Sequence, residues 1–206
     1  MLSYIYAYSQ LKTDTIQFVV PSGNMGNVTA GLFASQMGFP FSSFIIATNE
    51  NDVAVNYYKT GSFVPQQTIQ TLSNAMDIGN PSNFIRILDL FKHTHSEFKK
   101  RVRATKISET ETVATIKRVY KEHQYLLDPH TAVAWAAAEQ NIDVNHTSVV
   151  VATASPLKFS SEIYQATGIS VDDSVCKGDS FGKKKKKYPV GSSYKEFKTF
   201  LNGLSE

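Results

Sequence analysis

Cysteine is nearly absent from this sequence: one residue, Cys176, in 206. No disulfide framework can form within the chain. No apolar run approaches the roughly 18 residues of a membrane-spanning segment. The opening Met1-Leu2-Ser3-Tyr4-Ile5-Tyr6-Ala7-Tyr8 is aromatic but lacks the basic stretch of a secretory signal. The excess of one sign of charge is also small. The net charge is +3, and five positive charges sit together at Lys183–Lys187, so the remainder is close to neutral. That balance argues against a nucleic-acid binder. The lysine run has only Phe181 and Tyr188 at its edges and no interleaved aromatic platform, so it reads as a solvated loop. His93, His95 and Glu97 match no metal-ligand spacing and read as a solvated helix face. The expectation is a cytoplasmic protein without membrane, metal or nucleic acid. An organelle stays open, because a transit peptide would precede this N-terminus.

What is present suits a packed domain. Hydrophobic residues make up 42% of the chain, enough for a core and too many for disorder throughout. Ile5, Tyr8 and Leu11 recur at helical spacing with no cap before them, like an internal element of something longer. Buried strands are expected at Ile16–Val20, Phe44–Ala47 and Val149–Ala152. Helices are expected over 28–38, with Val28, Leu32 and Met37 on one side, and over 52–59. Further helices are expected from Pro81 to Phe91 or beyond, from a capping box at Ser108/Glu111, over 129–139, over 156–167 and over 194–204. Residues 63–76 show no clear period. Strands alternating with helices predict a three-layer α/β fold with a mostly parallel sheet and helices on both faces. Residues 1–168 should form the main body, and 169–206 a surface excursion with the lysine run and a terminal helix.

The most informative stretch is Pro21-Ser22-Gly23-Asn24-Met25-Gly26-Asn27, between a strand and a helix. Glycines allow a tight turn and close approach of N–H groups to a ligand. The helix N-terminus adds unpaired N–H groups and partial positive charge, so an anion fits there without a basic side chain. The stretch has neither the lysine of a P-loop nor the spacing of a dinucleotide fingerprint. A plain strand-to-helix turn would account for the glycines equally well. Ser82, Asn83 and Arg86 form a polar group at a helix start, suited to a phosphate or to capping and solvent. Thr153, after a strand, could line a ligand edge or cap the next helix. His130, beside Asp128, could be a site residue or a structural hydrogen-bonding group.

These motifs together resemble the threonine synthases, pyridoxal-phosphate (PLP) enzymes of the tryptophan synthase beta-like class (fold type II). Val-Pro followed by Ser-Gly-Asn-x-Gly-Asn looks like their PLP phosphate loop, with Met25 where the family usually has Phe. In the family's order there follow Ala47-Thr48-Asn49-Glu50-Asn51-Asp52, Leu72-Ser73-Asn74-Ala75-Met76-Asp77, Pro81-Ser82-Asn83-Phe84-Ile85-Arg86, Pro129-His130-Thr131-Ala132-Val133-Ala134 and Thr153-Ala154-Ser155-Pro156-Leu157-Lys158-Phe159. The resemblance covers residues 1–168 and corresponds to the family's C-terminal half. It implies PLP as cofactor, O-phospho-L-homoserine as substrate, and L-threonine and phosphate as products. It assigns Ser22, Gly23, Asn24, Met25, Gly26 and Asn27 to the cofactor phosphate, and Thr153 to the pyridine nitrogen. Ser82, Asn83 and Arg86 are the candidates for substrate.

The resemblance also implies a lysine that forms a Schiff base with PLP, in a Phe-Lys-Asp context within the N-terminal half. The pairs Phe91-Lys92, Phe98-Lys99 and Phe197-Lys198 continue with His93, Lys100 and Thr199, and Lys158 belongs to a different motif. The expectation is a chain that supplies cofactor-binding elements, needs the missing half for turnover, and self-associates through surfaces that half would cover. The alternatives are a non-catalytic PLP- or anion-binding remnant or partner subunit, or part of another fold type II enzyme such as a serine or threonine dehydratase.

Overall fold

The fold was obtained as a computed structural model that describes residues 1–11, 13, 15–171 and 188–203. The lysine run and Cys176 lie outside the described residues. The chain divides into two compact units, Met1–Val175 and Cys176–Glu206.

The first unit begins with helix α1 (Leu2–Leu11), then strand β1 (Ile16–Pro21), α2 (Gly26–Gln36), β2 (Phe41–Thr48) and α3 (Val53–Thr60). A segment without regular structure ends in a 3₁₀ turn, Asn74–Met76. Then come α4 (Phe84–Leu90), α5 (His95–Arg101), β3 (Val102–Lys106), α6 (Glu109–His123), α7 (Pro129–Gln140) and β4 (Thr147–Val150). A second 3₁₀ turn, Pro156–Phe159, leads into α8 (Ser160–Thr167). In the second unit α9 (Tyr194–Gly203) is amphipathic, yet none of its described residues is buried.

The strands form one sheet in the order β3-β2-β1-β4, and every described pairing is parallel. Successive residues of a strand face opposite sides. Phe18, Val20, Phe44 and Ile46 therefore meet α1, α2 and α4 in one core. Val19, Ile45 and Ala47 meet Val133, Ala134 and Ala137 of α7 in another. A third cluster joins α6, α7 and α8 through Ile116, Val119, Ala132 and Ile163. The expected three-layer arrangement is what the chain adopts.

Several local expectations need correction. β4 is no buried strand: Thr147 and Ser148 are exposed, and Val149 and Val150 half-buried. Among the described residues it lies at the sheet edge and pairs only with β1, so apolar content alone could not reveal how many neighbours it has. β3 is absent from the sequence reading because Val102-Arg103-Ala104-Thr105-Lys106 mixes charge into another edge strand. α1 is buried through Tyr4, which packs on Phe18, whereas Leu11 is exposed. Met37, expected on the inner face of α2, lies outside the helix and is exposed. The helix expected from Pro81 begins at Phe84, after a turn holding Ser82 and Asn83, and the one expected over 156–167 is split between the 3₁₀ turn and α8.

The punctuation is as expected. The Ser108 hydroxyl accepts the Glu111 amide (3.3 Å), and Pro129 sits in the first turn of α7 behind the cap Asp128. Glycines 61 and 168 end α3 and α8 with left-handed φ of 77° and 75°, a conformation glycine adopts without steric cost.

Candidate cofactor site at the sheet switch point

β1 is the pivot of the topology. From β1 the chain crosses through α2 to β2 on one side. β4, on the other side of β1, is reached through α7, which packs on the opposite face of the sheet. Open α/β sheets bind ligands in the crevice beyond the carboxyl ends of two such strands. Two expected site segments leave the sheet there. The Val151 amide donates to the Val19 carbonyl (2.9 Å), so Ser22 and Thr153 emerge from adjacent strands a few residues past the same rung.

The Ser22–Asn27 stretch joins β1 to α2 as expected, with Gly26 and Asn27 already in the first turn of the helix. Ser22 anchors it: its amide donates to the Ala47 carbonyl (2.9 Å) and its hydroxyl to the Val20 carbonyl (3.0 Å). Met25 is left-handed (φ 63°) and buried. The amides of residues 23 to 28 engage no acceptor among the described residues. They form an N–H concavity at the start of α2, which suits a phosphate.

The two asparagines fasten the loop from outside. Ser82 donates to Asn24 Oδ1 through its amide (2.7 Å) and its hydroxyl (3.0 Å), and Asn83 Nδ2 donates to the Asn24 carbonyl (3.0 Å). The Tyr4 hydroxyl donates to Asn27 Oδ1 (2.8 Å). Ser82 and Asn83 are thus brought to the loop. Arg86, in the first turn of α4, is exposed and forms no ion pair among the described residues.

The two glycines differ. A Cβ on Gly23 would lie 2.6 Å from Met76 Cα and 3.0 Å from the Ala75 carbonyl oxygen. Gly23 is therefore required by the backbone of the Asn74–Met76 turn. A Cβ on Gly26 would meet only the Asn83 side chain, at 3.4 Å.

Thr153 is exposed, with its hydroxyl unengaged among the described residues. The cap of the following 3₁₀ turn is Ser155, whose Oγ accepts the Leu157 amide (3.3 Å). Among the described residues the site therefore offers N–H donors without an acceptor at one end and an unengaged hydroxyl at the other.

Two further motifs, Ala47–Asp52 and Leu72–Asp77, meet beside the loop. Asn49 Nδ2 donates to Thr71 Oγ1 (2.8 Å), Ser73 Oγ (3.0 Å) and Asp77 Oδ1 (2.8 Å). Asn51 Nδ2 donates to the Ile69 carbonyl (2.8 Å). This network ties the segment that follows β2 to the turn that seats Gly23. The signal was two asparagines and an aspartate in loops between apolar runs. Asp128 is buried, which acts to raise its pKa. Hydrogen bonds from the His130 and Thr131 side chains and the Thr131 amide outweigh burial and hold the carboxyl below the usual aspartate range. Glu50 is likewise held low, chiefly by its hydrogen bond with Lys106 (2.8 Å), at the end of β3. His93, expected on a helix face, lies instead in the turn between α4 and α5 and pairs with Asp89 (2.9 Å), and no group of metal-ligating side chains is present among the described residues.

A family profile described as "Pyridoxal-phosphate dependent enzyme" matches residues 3–155, and one described as "Threonine synthase, C-terminal" matches 131–189. The chain is 36% identical to the threonine synthase of Haemophilus influenzae over 171 residues, covering 82% of this chain and 40% of that protein. Among solved structures, PLP-bound threonine synthase from Brucella melitensis superposes with a TM-score of 0.76 at 32% identity, covering 82% of this chain and 42% of that one. Threonine synthase from Escherichia coli gives 0.76 at 34% identity, covering 82% and 40%. The chain thus spans about two fifths of the length of the curated relatives it matches.

Proposed function

Because the chain belongs to the pyridoxal-phosphate-dependent enzyme family, we propose that it supplies the cofactor-binding part of a threonine synthase. That enzyme converts O-phospho-L-homoserine and water to L-threonine and phosphate. The observation that carries the reading is the crevice between the ends of β1 and β4, where, among the described residues, amides without an acceptor lie on one side and an unengaged threonine hydroxyl on the other.

In this proposal the amides of residues 23 to 28 hold the cofactor phosphate, helped by the positive end of α2. Ser22, Asn24 and Asn27 set the loop's shape, and Met25 supplies its left-handed turn. The Thr153 hydroxyl would serve as the partner of the ring nitrogen when the cofactor is bound. Being neutral, it does not hold a proton on that nitrogen as a carboxylate would. Ser82 and Asn83 brace the loop, and the uncommitted Arg86 guanidinium is left for the substrate phosphate. PLP, when bound, supplies the electron sink for proton removal and phosphate loss. Residues 1–168 form the working unit of this proposal, and the single cysteine fits a reducing, cytosolic setting. No helix among the described residues is long and apolar enough to cross a membrane.

The 206 residues contain no Phe-Lys-Asp. The expected outcome is therefore no phosphate release from phosphohomoserine by this chain with added PLP. Turnover at an ordinary enzymatic rate, abolished by Lys158→Ala, would show that the covalent lysine lies in this chain and would overturn the reading.

A second expectation concerns the edge of β4 that has no strand partner among the described residues. An apolar groove of about 940 Å³ runs along it, lined by Tyr6, Leu11, Trp135, Ile142 and Val144 among others. The edge carries no lysine, proline or charge that would block pairing. In solution this chain should self-associate, and Ser148→Lys with Val144→Glu should shift it toward monomer. Sedimentation velocity at high micromolar concentration reads this directly. A monomeric wild type would mean that the edge does not pair.

A further inference from the structure

His130 is buried in the first turn of α7 and makes contacts in three directions. Its Nε2 lies 3.2 Å from the Ala75 amide, and its Nδ1 lies 3.0 Å from Asp128 Oδ1. Its ring packs on Phe159 with centroids 4.8 Å apart. A backbone amide can only donate, so Nε2 is the acceptor and carries no proton. The proton of the neutral ring is then on Nδ1 and donates to the carboxylate. Asp128 also accepts from the amides of His130 (2.9 Å) and Thr131 (3.3 Å), so the ring is held by a group that is itself fixed.

The outer two contacts lead to the two walls of the crevice. Ala75 belongs to the 3₁₀ turn whose backbone leaves no room for a side chain on Gly23. Phe159 ends the turn that follows Thr153. The Asn49–Asp77 network holds the flanks of the Asn74–Met76 turn, but among the described residues the only acceptor for the Ala75 amide is His130.

We propose that His130, oriented by Asp128, is a positioning residue: it seats the Ala75–Met76 backbone under Gly23 and keeps the candidate phosphate loop in register with the Thr153 segment. This rests on the reading of residues 22–27 as the phosphate loop. His130 touches no ligand in this scheme. It acts through the Ala75 amide.

Two substitutions separate the ring's two bonds. His130→Asn keeps a donor near the Nδ1 position for Asp128 and loses the reach to Ala75. His130→Gln keeps an acceptor near the Nε2 position and loses the donor to Asp128. A control, Phe98→Leu, weakens the core on the other face of the sheet without touching His130. Inorganic phosphate is titrated against each chain, following the amide chemical shifts of Gly23, Asn24 and Asn27. The expected result is a Kd raised at least about tenfold in His130→Asn, an effect of about 1.4 kcal/mol. The Kd should stay within about twofold of wild type in His130→Gln and Phe98→Leu. A His130→Asn chain that binds as tightly as wild type, or a Phe98→Leu chain that loses as much, would overturn the proposal. If wild type binds no phosphate, the phosphate-loop reading fails, and the ligand-free loop shifts still decide the positioning role. Shifts moved by His130→Asn and restored in His130→Gln support it, and unmoved shifts refute it.

Discussion

Gly23→Ala is expected to cost about 2 kcal/mol of folding stability and to weaken phosphate binding at least about tenfold, whereas Gly26→Ala should leave both nearly unchanged. The asymmetry follows from what each new methyl group meets. At Gly23 it would sit 2.6 Å from Met76 Cα, and neither backbone can rotate away as a flexible side chain could. Either the loop lifts, moving the amides of residues 23 to 28, or the Asn74–Met76 turn retreats and strains its bond to His130 and those of its flanking Ser73 and Asp77 to Asn49. At Gly26 the methyl group faces the Asn83 side chain at 3.4 Å, and alanine is favoured over glycine within a helix. Both glycines were expected to keep a ligand cradle clear. At Gly23 the geometry adds a separate requirement, close packing against the Met76 backbone. Urea unfolding combined with phosphate titration of the two variants distinguishes these roles. Equal behaviour of the two proteins would show that the close approach at Gly23 is not what the loop depends on.

Asp128→Ala is expected to lower stability by about 3 kcal/mol. Loss of a helix cap costs about 1 kcal/mol. The His130 Nδ1–H is then left buried without an acceptor, at about 1–3 kcal/mol. The same group predicts a pH dependence. Its folded pKa is depressed below the unfolded value near 3.9, so the folded state binds the proton less readily. The stabilisation is fully present above the unfolded pKa and is lost as pH falls through the folded one. Wild type should lose stability on acidification below about pH 5 more steeply than Asp128→Asn, which has no charge to neutralise there. Urea midpoints measured at descending pH give the comparison. Parallel acid limbs for the two proteins would mean that Asp128 is not held low.

Much of this could be read from residue order. The alternation of apolar runs with helical periods, closed by Gly61 and Gly168, determines an α/β chain with a parallel sheet, because local periodicity and caps act within a few residues. The Ser22–Asn27 loop, the Ser108 cap and the Asp128–Pro129 helix start are local in the same sense. Strand order is a different matter. Val149 and Val150 look like core residues, yet β4 has a partner on one side only, and Val102–Lys106 looks like a charged surface while pairing with β2. Neighbour number is a property of the assembled sheet. The reason for Gly23 likewise lies in Met76, more than fifty positions away, and the role of His130 lies in Ala75 and Phe159. These pairings join residues distant in sequence, where no period or spacing records them. Only packing of the two helical layers against β1 and β4 brings them to one crevice.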